Sequence, residues 1–273
     1  MPKNPRSPLP IRVKPDRPVK LSKVDPASTE GLNKADALKT LETDAARIAA
    51  AQTLMYAEDR KALLVVLQGM DTSGKDGTIR SVFAAVNPVG LEVSSFARPS
   101  EEELDHDFLW RIHKKFPRYG NIGVFNRSHY EDVLVVRVRK LAPESIWKAR
   151  FDQINAFEQL ASDMGYRVMK FFLHISREEQ KIRLQERLSD DRKHYKFRPG
   201  DLEDRALWDE YMSAYEDVLQ RCSTKTAPWH IVPADRKWYR NALIAGAVAD
   251  ELESMKVKRP KAIYDPSDFP IPD

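Results

Sequence analysis

Cysteine is almost missing from this 273-residue chain: Cys222 stands alone, so no internal disulfide can form. That excludes a small secreted scaffold held by disulfides and points to a reducing, cytoplasmic setting. Long hydrophobic runs are missing too. The longest, Ala62 to Leu67 and Ala242 to Ala249, fall far short of the roughly 18 residues that span a bilayer. The start of the chain has no apolar core of a secretory signal, so neither a membrane nor an export route is expected. Nor is there a large excess of one charge, since 45 Lys and Arg face 41 Asp and Glu, a net +4. Residues 1–26 alone carry seven basic and two acidic side chains, so the basicity belongs to the tail. Such a tail reads first as a solvated or subunit-contacting arm, not as a nucleic-acid footprint.

What is present suffices for a core. Hydrophobic residues make up 42% of the chain and aromatics 9%, which excludes a disordered polymer. Seven of the 18 prolines fall in residues 1–26 and four in residues 260–273, so both ends are expected to be extended and irregular. Between them helices and strands alternate. Helical spacing over Gly31–Arg60 is followed by apolar strands at Ala62–Leu67, Leu91–Phe96, Ile122–Asn126, Arg167–Ile175 and Trp229–Val232. Helical patterns separate them at Thr78–Val86, Glu101–Phe116, Pro143–Met164, Arg177–Leu188 and Leu202–Gln220, and Lys237–Met255 closes the series. This alternation predicts an α/β fold with a mostly parallel sheet covered on both faces.

Only ten glycines occur, and three of them, Gly69, Gly74 and Gly77, fall between the first of these strands and the next helix. Gly69-Met70-Asp71-Thr72-Ser73-Gly74-Lys75 has the glycine and lysine spacing of a P-loop, in which backbone N–H groups and a helix N-terminus cradle phosphate while the lysine supplies charge. The strand before it and the helix after it are the confirming context. Asp76 follows Lys75 where most P-loops carry the Ser or Thr that binds magnesium. Asp71 is the candidate to hold the metal instead, its alternative being a cap or loop hydrogen bond. Asp71 and Lys75 are both expected to be exposed on the loop.

A second strand tip, Ile122–Asn126, leads into Arg127-Ser-His-Tyr-Glu131-Asp132. Ligands of parallel α/β sheets gather at strand carboxyl ends, so Asn126, Arg127, Glu131 and Asp132 are expected to face Lys75. Two further segments are basic. Residues 111–140 carry eight Lys and Arg against Glu131 and Asp132, and residues 181–198 carry seven, among them Arg187, Arg192, Lys193 and Arg198, against three acids. The second segment precedes an acidic one over 201–217 and reads either as a lid closing on phosphates or as a solvated face with ion pairs. His106 and His113 lack the companions of a zinc site, and no acyl-transfer motif occurs.

The loop Gly69–Gly77, the strand end Gly-Val-Phe-Asn-Arg-Ser-His-Tyr-Glu-Asp132, the basic run at Arg187–Arg198, and Ala227-Pro-Trp-His-Ile-Val-Pro-Ala-Asp-Arg-Lys-Trp-Tyr-Arg240 together resemble the family-2 polyphosphate kinases. The resemblance runs from about residue 30 to 255. It implies a P-loop three-layer α/β/α fold, thymidylate-kinase-like, with a helical lid. The implied activity is magnesium-dependent, reversible phosphoryl transfer between inorganic polyphosphate and adenine nucleotides, with manganese as a possible substitute metal and other purine nucleotides as further acceptors. Asp71, Lys75, Arg127 and Arg187 take the catalytic positions, with Asp71 as metal ligand joined by Glu131 or Asp132. Gly69, Met70, Thr72, Ser73, Gly74, Asp76, Gly77, Asn126, Glu131, Arg192, Lys193 and Arg198 fall at nucleotide and phosphate positions. The family commonly reads Phe-Asp-Arg-Ser where this chain has Phe125-Asn126-Arg127-Ser128, so metal ligation is not carried over to Asn126. Asn126 and Glu131 together resemble the class III subgroup, which uses both nucleoside mono- and diphosphates.

A polymeric donor needs a line of cations leading away from Lys75, for which Arg80, Lys114, Lys115, Arg118 and Arg127 are the candidates. Residues 1–30 are expected to form the arm, 31–256 a single kinase domain with its lid at about 187–205, and 257–273 a tail. A homodimer or homotetramer is expected, with no nucleic-acid or membrane partner. Two other readings stand beside this one. They are an ATP-dependent nucleoside monophosphate kinase on the same fold and a non-enzymatic nucleic-acid-binding module.

Overall fold

The computed structural model describes residues 9–15, 17–261, 263–269 and 271–272. The first eight residues of the expected arm thus lie outside the described residues, as do positions 16, 262, 270 and 273. In chain order the elements are β1 (Ile11–Arg12), α1 (Lys34–Glu58), β2 (Ala62–Gln68), α2 (Lys75–Val82), β3 (Leu91–Ser95), α3 (Glu101–Leu104), α4 (Trp110–His113), β4 (Ile122–Asn126) and α5 (Val135–Val138). They continue with α6 (Glu144–Asp163), β5 (Tyr166–His174), α7 (Arg177–Ser189), α8 (Gly200–Ala206), α9 (Trp208–Arg221), β6 (Trp229–Pro233) and α10 (Lys237–Ser254).

The sheet runs β1-β6-β5-β2-β4-β3. All neighbours are parallel except β1, which pairs antiparallel with β6 through Ile11 opposite Ile231 and Arg12 opposite His230. Every residue of the central strand β2 is buried, as a strand covered on both faces must be, which is why its sequence is an unbroken apolar run. Helices α1, α2 and α10 form one covering layer, while α5, α6 and α9 lie on the other side. The small residues Ala242, Ala245, Gly246 and Ala249 of α10 are buried, letting this helix lie close to its neighbours. Arg47 of α1 ties the pair by donating to Asp250 and Glu253 of α10, each at 2.7 Å. Among the described residues no helix is long and apolar enough to cross a membrane.

All five strands expected from sequence form, with ends shifted by one residue at most, and the fold is the expected P-loop α/β architecture. Helix α2 starts and ends earlier than the expected Thr78–Val86, and the short α5 is additional. Three further details differ. The single helix expected over Glu101–Phe116 is two short helices, because Asp107 turns its carboxylate onto the backbone N–H of Leu109 at 2.9 Å and competes with helix continuation. The helix expected over Leu202–Gln220 breaks at Leu207, whose backbone N–H returns to Asp204 instead of continuing the helical ladder. The third is β1, too short for alternation to register, which adds an edge strand.

The described part of residues 9–30 does not hang free. Val13 N–H donates to the Trp229 carbonyl, the Ser223 hydroxyl to the Val13 carbonyl, and Leu21 N–H to Glu216 of α9 at 2.8 Å. Further along, the Pro26 carbonyl accepts from Asp235 N–H, just beyond β6.

Candidate active site

The loop Gly69–Gly74 leaves the carboxyl end of β2 and passes directly into α2, so Lys75 is the first residue of the helix. Gly69 and Gly74 have φ of +152° and +99°, a region that other residues adopt at a cost. Thr72 accepts that cost at φ +66°. The hydroxyls of Thr72 and Ser73 are buried without a hydrogen-bond partner among the described residues. Buried donors left open beside a helix N-terminus are what an arriving phosphate would satisfy.

Lys75 and Asp71 are not the exposed loop side chains expected from sequence. Lys75 is buried, and its ammonium folds back onto the Gly69 and Met70 carbonyls at 2.8 and 3.3 Å. Burial, followed by repulsion from Arg127, lowers its pKa to about 8. Asp71 is mostly covered. Burial alone would raise its pKa, but Arg127 and Lys75 outweigh that and hold it below the ordinary carboxylate range.

Arg127 stands at the tip of β4, next to β2 in the sheet. Its backbone is left-handed, with φ +61°, a conformation that costs a non-glycine residue roughly 1–3 kcal/mol and that clusters at functional sites. The turn aims its guanidinium at Asp71 Oδ1 at 2.6 Å, with Glu131 Oε2 at 3.6 Å. Asn126 donates to Asp76 Oδ1, joining the same two strand ends a second time. Glu131 lines the crevice with Asp71 and Arg127. Asp132 turns away to pair with Arg150 at 3.0 Å, and burial raises its pKa to about 6.

Beneath this turn lies a buried polar cluster. Glu158 of α6 accepts from Tyr130 at 2.8 Å and contacts His129 at 3.2 Å, and it pairs with Lys170 of β5. Lys170 also donates to the Tyr130 hydroxyl at 2.8 Å and the Cys222 carbonyl at 2.7 Å. Burial lowers the His129 pKa, so the ring is neutral and the cluster's ion pair is between Glu158 and Lys170.

The far wall of the crevice is α8 and α9, with Asp204, Tyr211 and Tyr215. Tyr211 donates to Asp204 Oδ1, which also accepts from Arg139, so this wall is held to α5. From the first half of α7, Arg183 donates to the Thr72 carbonyl at 2.9 Å and to the Ala234 and Asp235 carbonyls, and Gln180 reaches the Asp71 carbonyl. Arg183 and the tyrosines are site residues that sequence reasoning missed. Burial singles Arg183 out among many arginines, and the Tyr211/Tyr215 spacing of four was the one available signal for the wall.

Arg187 ties the segment after α7 to α8, donating to the Lys196 carbonyl and to Asp201 at 3.0 Å each, and its charge contributes to lowering the Asp71 pKa. Arg192, Lys193 and Arg198 are not brought to the loop. Arg192 and Arg198 are exposed, and Arg192 and Lys193 pair with Asp190. Of the expected cation line, Arg80, Lys114 and Lys115 are exposed, with Lys114 stacked 4.0 Å above the Trp110 ring. Arg118 lies at the other end of the sheet. It precedes β4 and its backbone N–H donates to Glu92, while neighbouring Gly120 bonds Lys61 just before β2. The five residues of β4 place it about 16 Å or more from Arg127 at roughly 3.3 Å per residue.

A glycine loop at a strand's carboxyl end, a buried lysine at the helix start, and an ionised carboxylate held by an arginine from the next strand define a P-loop phosphotransferase. The chain belongs to the polyphosphate kinase 2 family, whose model matches residues 31–260. It is 49% identical to the AMP/ADP-polyphosphate phosphotransferase of Meiothermus ruber over 92% of this chain and 94% of that one. It is 42% identical to the ADP-polyphosphate phosphotransferase of Rhodopseudomonas palustris over 81% of each. The crystal structure of polyphosphate kinase 2 from Arthrobacter aurescens TC1 superposes with a TM-score of 0.92 at 41% identity, covering 96% of this chain and 95% of that one.

Proposed function

We propose that this protein transfers the terminal phosphoryl group of inorganic polyphosphate to AMP and to ADP, and that it runs the reaction in both directions. The observation that carries the reading is the convergence of Lys75, Asp71 and Arg127 at one mouth in a chain of the polyphosphate kinase 2 family. The name of the Meiothermus ruber relative, which covers nearly the whole chain, supports both acceptors.

In this reading a terminal phosphate oxygen of the nucleotide attacks the terminal phosphorus of the chain. The P–O bond to the shortened polyphosphate breaks, and its bridging oxygen leaves with the electron pair. The protein's part is to position and to neutralise. Lys75 exchanges its loop carbonyls for phosphate oxygens, and Arg127 reaches the transferred group from the neighbouring strand. Asp71, kept ionised, is a metal ligand and orienting anion, not a proton donor. Its hard oxygens, with Glu131 nearby, suit magnesium. Two carboxylates would leave the rest of the ion's shell to phosphate oxygens and water. Magnesium, when bound, supplies charge neutralisation to the phosphates. Asn126, Arg187 and the lid cations Arg192, Lys193 and Arg198 act on the nucleotide as the lid closes over residues 187–205.

We read residues 31–256 as the kinase domain, 1–30 as an arm and 257–273 as a tail. The exposed Ile263, Tyr264, Phe269 and Ile271 offer apolar contacts to a second copy in a cytoplasmic homo-oligomer. The experiment is ATP formation from long-chain polyphosphate and magnesium with AMP or ADP as sole acceptor. ATP from both is expected, and ATP from ADP alone would confine the reading to diphosphates. No product with polyphosphate, alongside turnover of ATP with AMP, would overturn it in favour of an ATP-dependent monophosphate kinase.

A further inference from the structure

Arg240 lies in the first turn of α10 and is only 2% exposed. Its Nη1 donates to the Ser73 carbonyl at 2.8 Å, while Nε and Nη2 donate to Asn241 Oδ1 at 3.1 and 2.9 Å. Asn241 Oδ1 also accepts from Thr78 of α2 at 3.4 Å. The loop's other arginines have carboxylates: Arg127 has Asp71 and Glu131, and Arg183 has Glu179 at 2.8 Å. Arg240 pairs with none among the described residues. Burial, and then the nearby charge of Arg183, pull its pKa down to about 9, so it remains a cation at neutral pH.

The phosphate loop is shaped around this guanidinium. A Cβ on Gly74 would stand 2.0 Å from Arg240 Nη1, and one on Gly77 3.5 Å from Nη2. Gly74 is held to glycine by its φ of +99°, and a side chain there would push the guanidinium from its place. A buried charge without a counter-charge is destabilising. A neutral donor could hold the Ser73 carbonyl without that cost. Retaining a cation makes sense where the missing negative charge arrives with the ligand, on the other side of the same loop. Donation to the Ser73 carbonyl also polarises the peptide it shares with Gly74, strengthening that N–H toward an anion.

We infer that Arg240 is a positioning residue whose unpaired charge, seated behind the phosphate loop against Gly74 and Ser73, is neutralised by the bound polyphosphate chain and strengthens polyanion binding without touching it. This rests on the polyphosphate-transfer reading above. The test is thermal melting of the full chain with and without sodium tripolyphosphate, for wild type, Arg240→Met and Arg240→Lys, together with steady-state kinetics. Tripolyphosphate is expected to raise the wild-type melting temperature. Empty Arg240→Met should melt at or above wild type, lose more than half of that rise, and show a polyphosphate KM raised about tenfold with kcat changed less than about threefold, the pattern of lost uniform binding. Arg240→Lys should keep most of the rise, because it keeps the charge.

A Met variant that melts lower or does not fold when empty would make the guanidinium a structural support and overturn the inference, as would a Met variant with an undiminished rise. A Lys variant as unresponsive as Met would assign the effect to the fork's shape and also overturn it. A wild type that tripolyphosphate does not stabilise would sink the polyphosphate reading itself, and this inference with it.

Discussion

Arg127 Nη2 and Asp71 Oδ1 meet at 2.6 Å, joining the loop after β2 to the tip of β4 across the mouth of the site. This ion pair aims the arginine and, with Lys75 and Arg187, holds the carboxylate ionised.

Asp71→Ala and Lys75→Ala should each lower kcat by about a thousandfold or more, since phosphoryl transfer depends on positioned charge. Circular dichroism should be unchanged. Asp71→Asn, which keeps the shape and loses the charge, should fall nearly as far as Asp71→Ala. Near-normal turnover in any of these variants would remove the residue from the site.

Lys75 gives the empty protein a pH signature. Its pKa of about 8 lies below the ordinary lysine value, so the folded protein releases this proton before the unfolded chain does. Below pH 8 the buried charge is a full cost, and between about pH 8 and 10.5 stability attributable to this group rises with pH. Phosphate binding runs the other way. Tripolyphosphate affinity, measured by calorimetry, should fall as pH rises past 8, by up to about tenfold per unit. Lys75→Arg should flatten that fall, and an equal fall in that variant would assign it to another group.

Arg187 holds the segment proposed as a lid to itself through the Lys196 carbonyl and Asp201. Arg187→Ala should raise the nucleotide KM and speed hydrogen exchange over residues 190–201, leaving the sheet protected. Unchanged kinetics and exchange would remove Arg187 from the proposed lid.

The Glu158–Lys170 pair is fully buried. Lys170→Met should destabilise by about 3–5 kcal/mol, because it strands a buried carboxylate, while Lys170→Met with Glu158→Leu should recover much of the loss. Urea unfolding of the two variants measures this, and a double variant no more stable than the single would show that the carboxylate is not the source of the cost.

Polyphosphate affinity should weaken with salt, in proportion to the cations engaged. Lys114→Ala with Lys115→Ala should raise the polyphosphate KM and reduce the salt slope. Arg118→Ala, at the opposite end of the sheet, should change neither, and an Arg118 effect as large as that of Lys114 and Lys115 would mean that the polymer wraps the whole molecule.

The central strands were legible because burial on both faces leaves an unbroken apolar run, as in Ala62–Gln68. The loop was legible because its glycines and lysine are set by local geometry. What sequence does not carry is which like residues end up buried. Arg183 and Arg240 read as two among many arginines, yet both are sealed against the phosphate loop. Conversely, Arg118 shares a charged stretch with Lys114 and Lys115, but the chain crosses to the far end of the sheet before β4 begins. The break at Asp107 was hidden for a similar reason, since a side-chain bond to a nearby backbone N–H competes with a helix that the apolar spacing supports.

The two-residue strand β1 has a consequence for how the protein behaves in company. It closes the β6 side of the sheet, and Val13 and Ser223 extend that closure by one more bond each. Without residues 9–13, the backbone at Trp229–Ile231 would offer unpaired donors and acceptors to any extended chain. Trimming the molecule to residues 31–260, the span its family model matches, would therefore trade a sealed sheet margin for a seed of self-association.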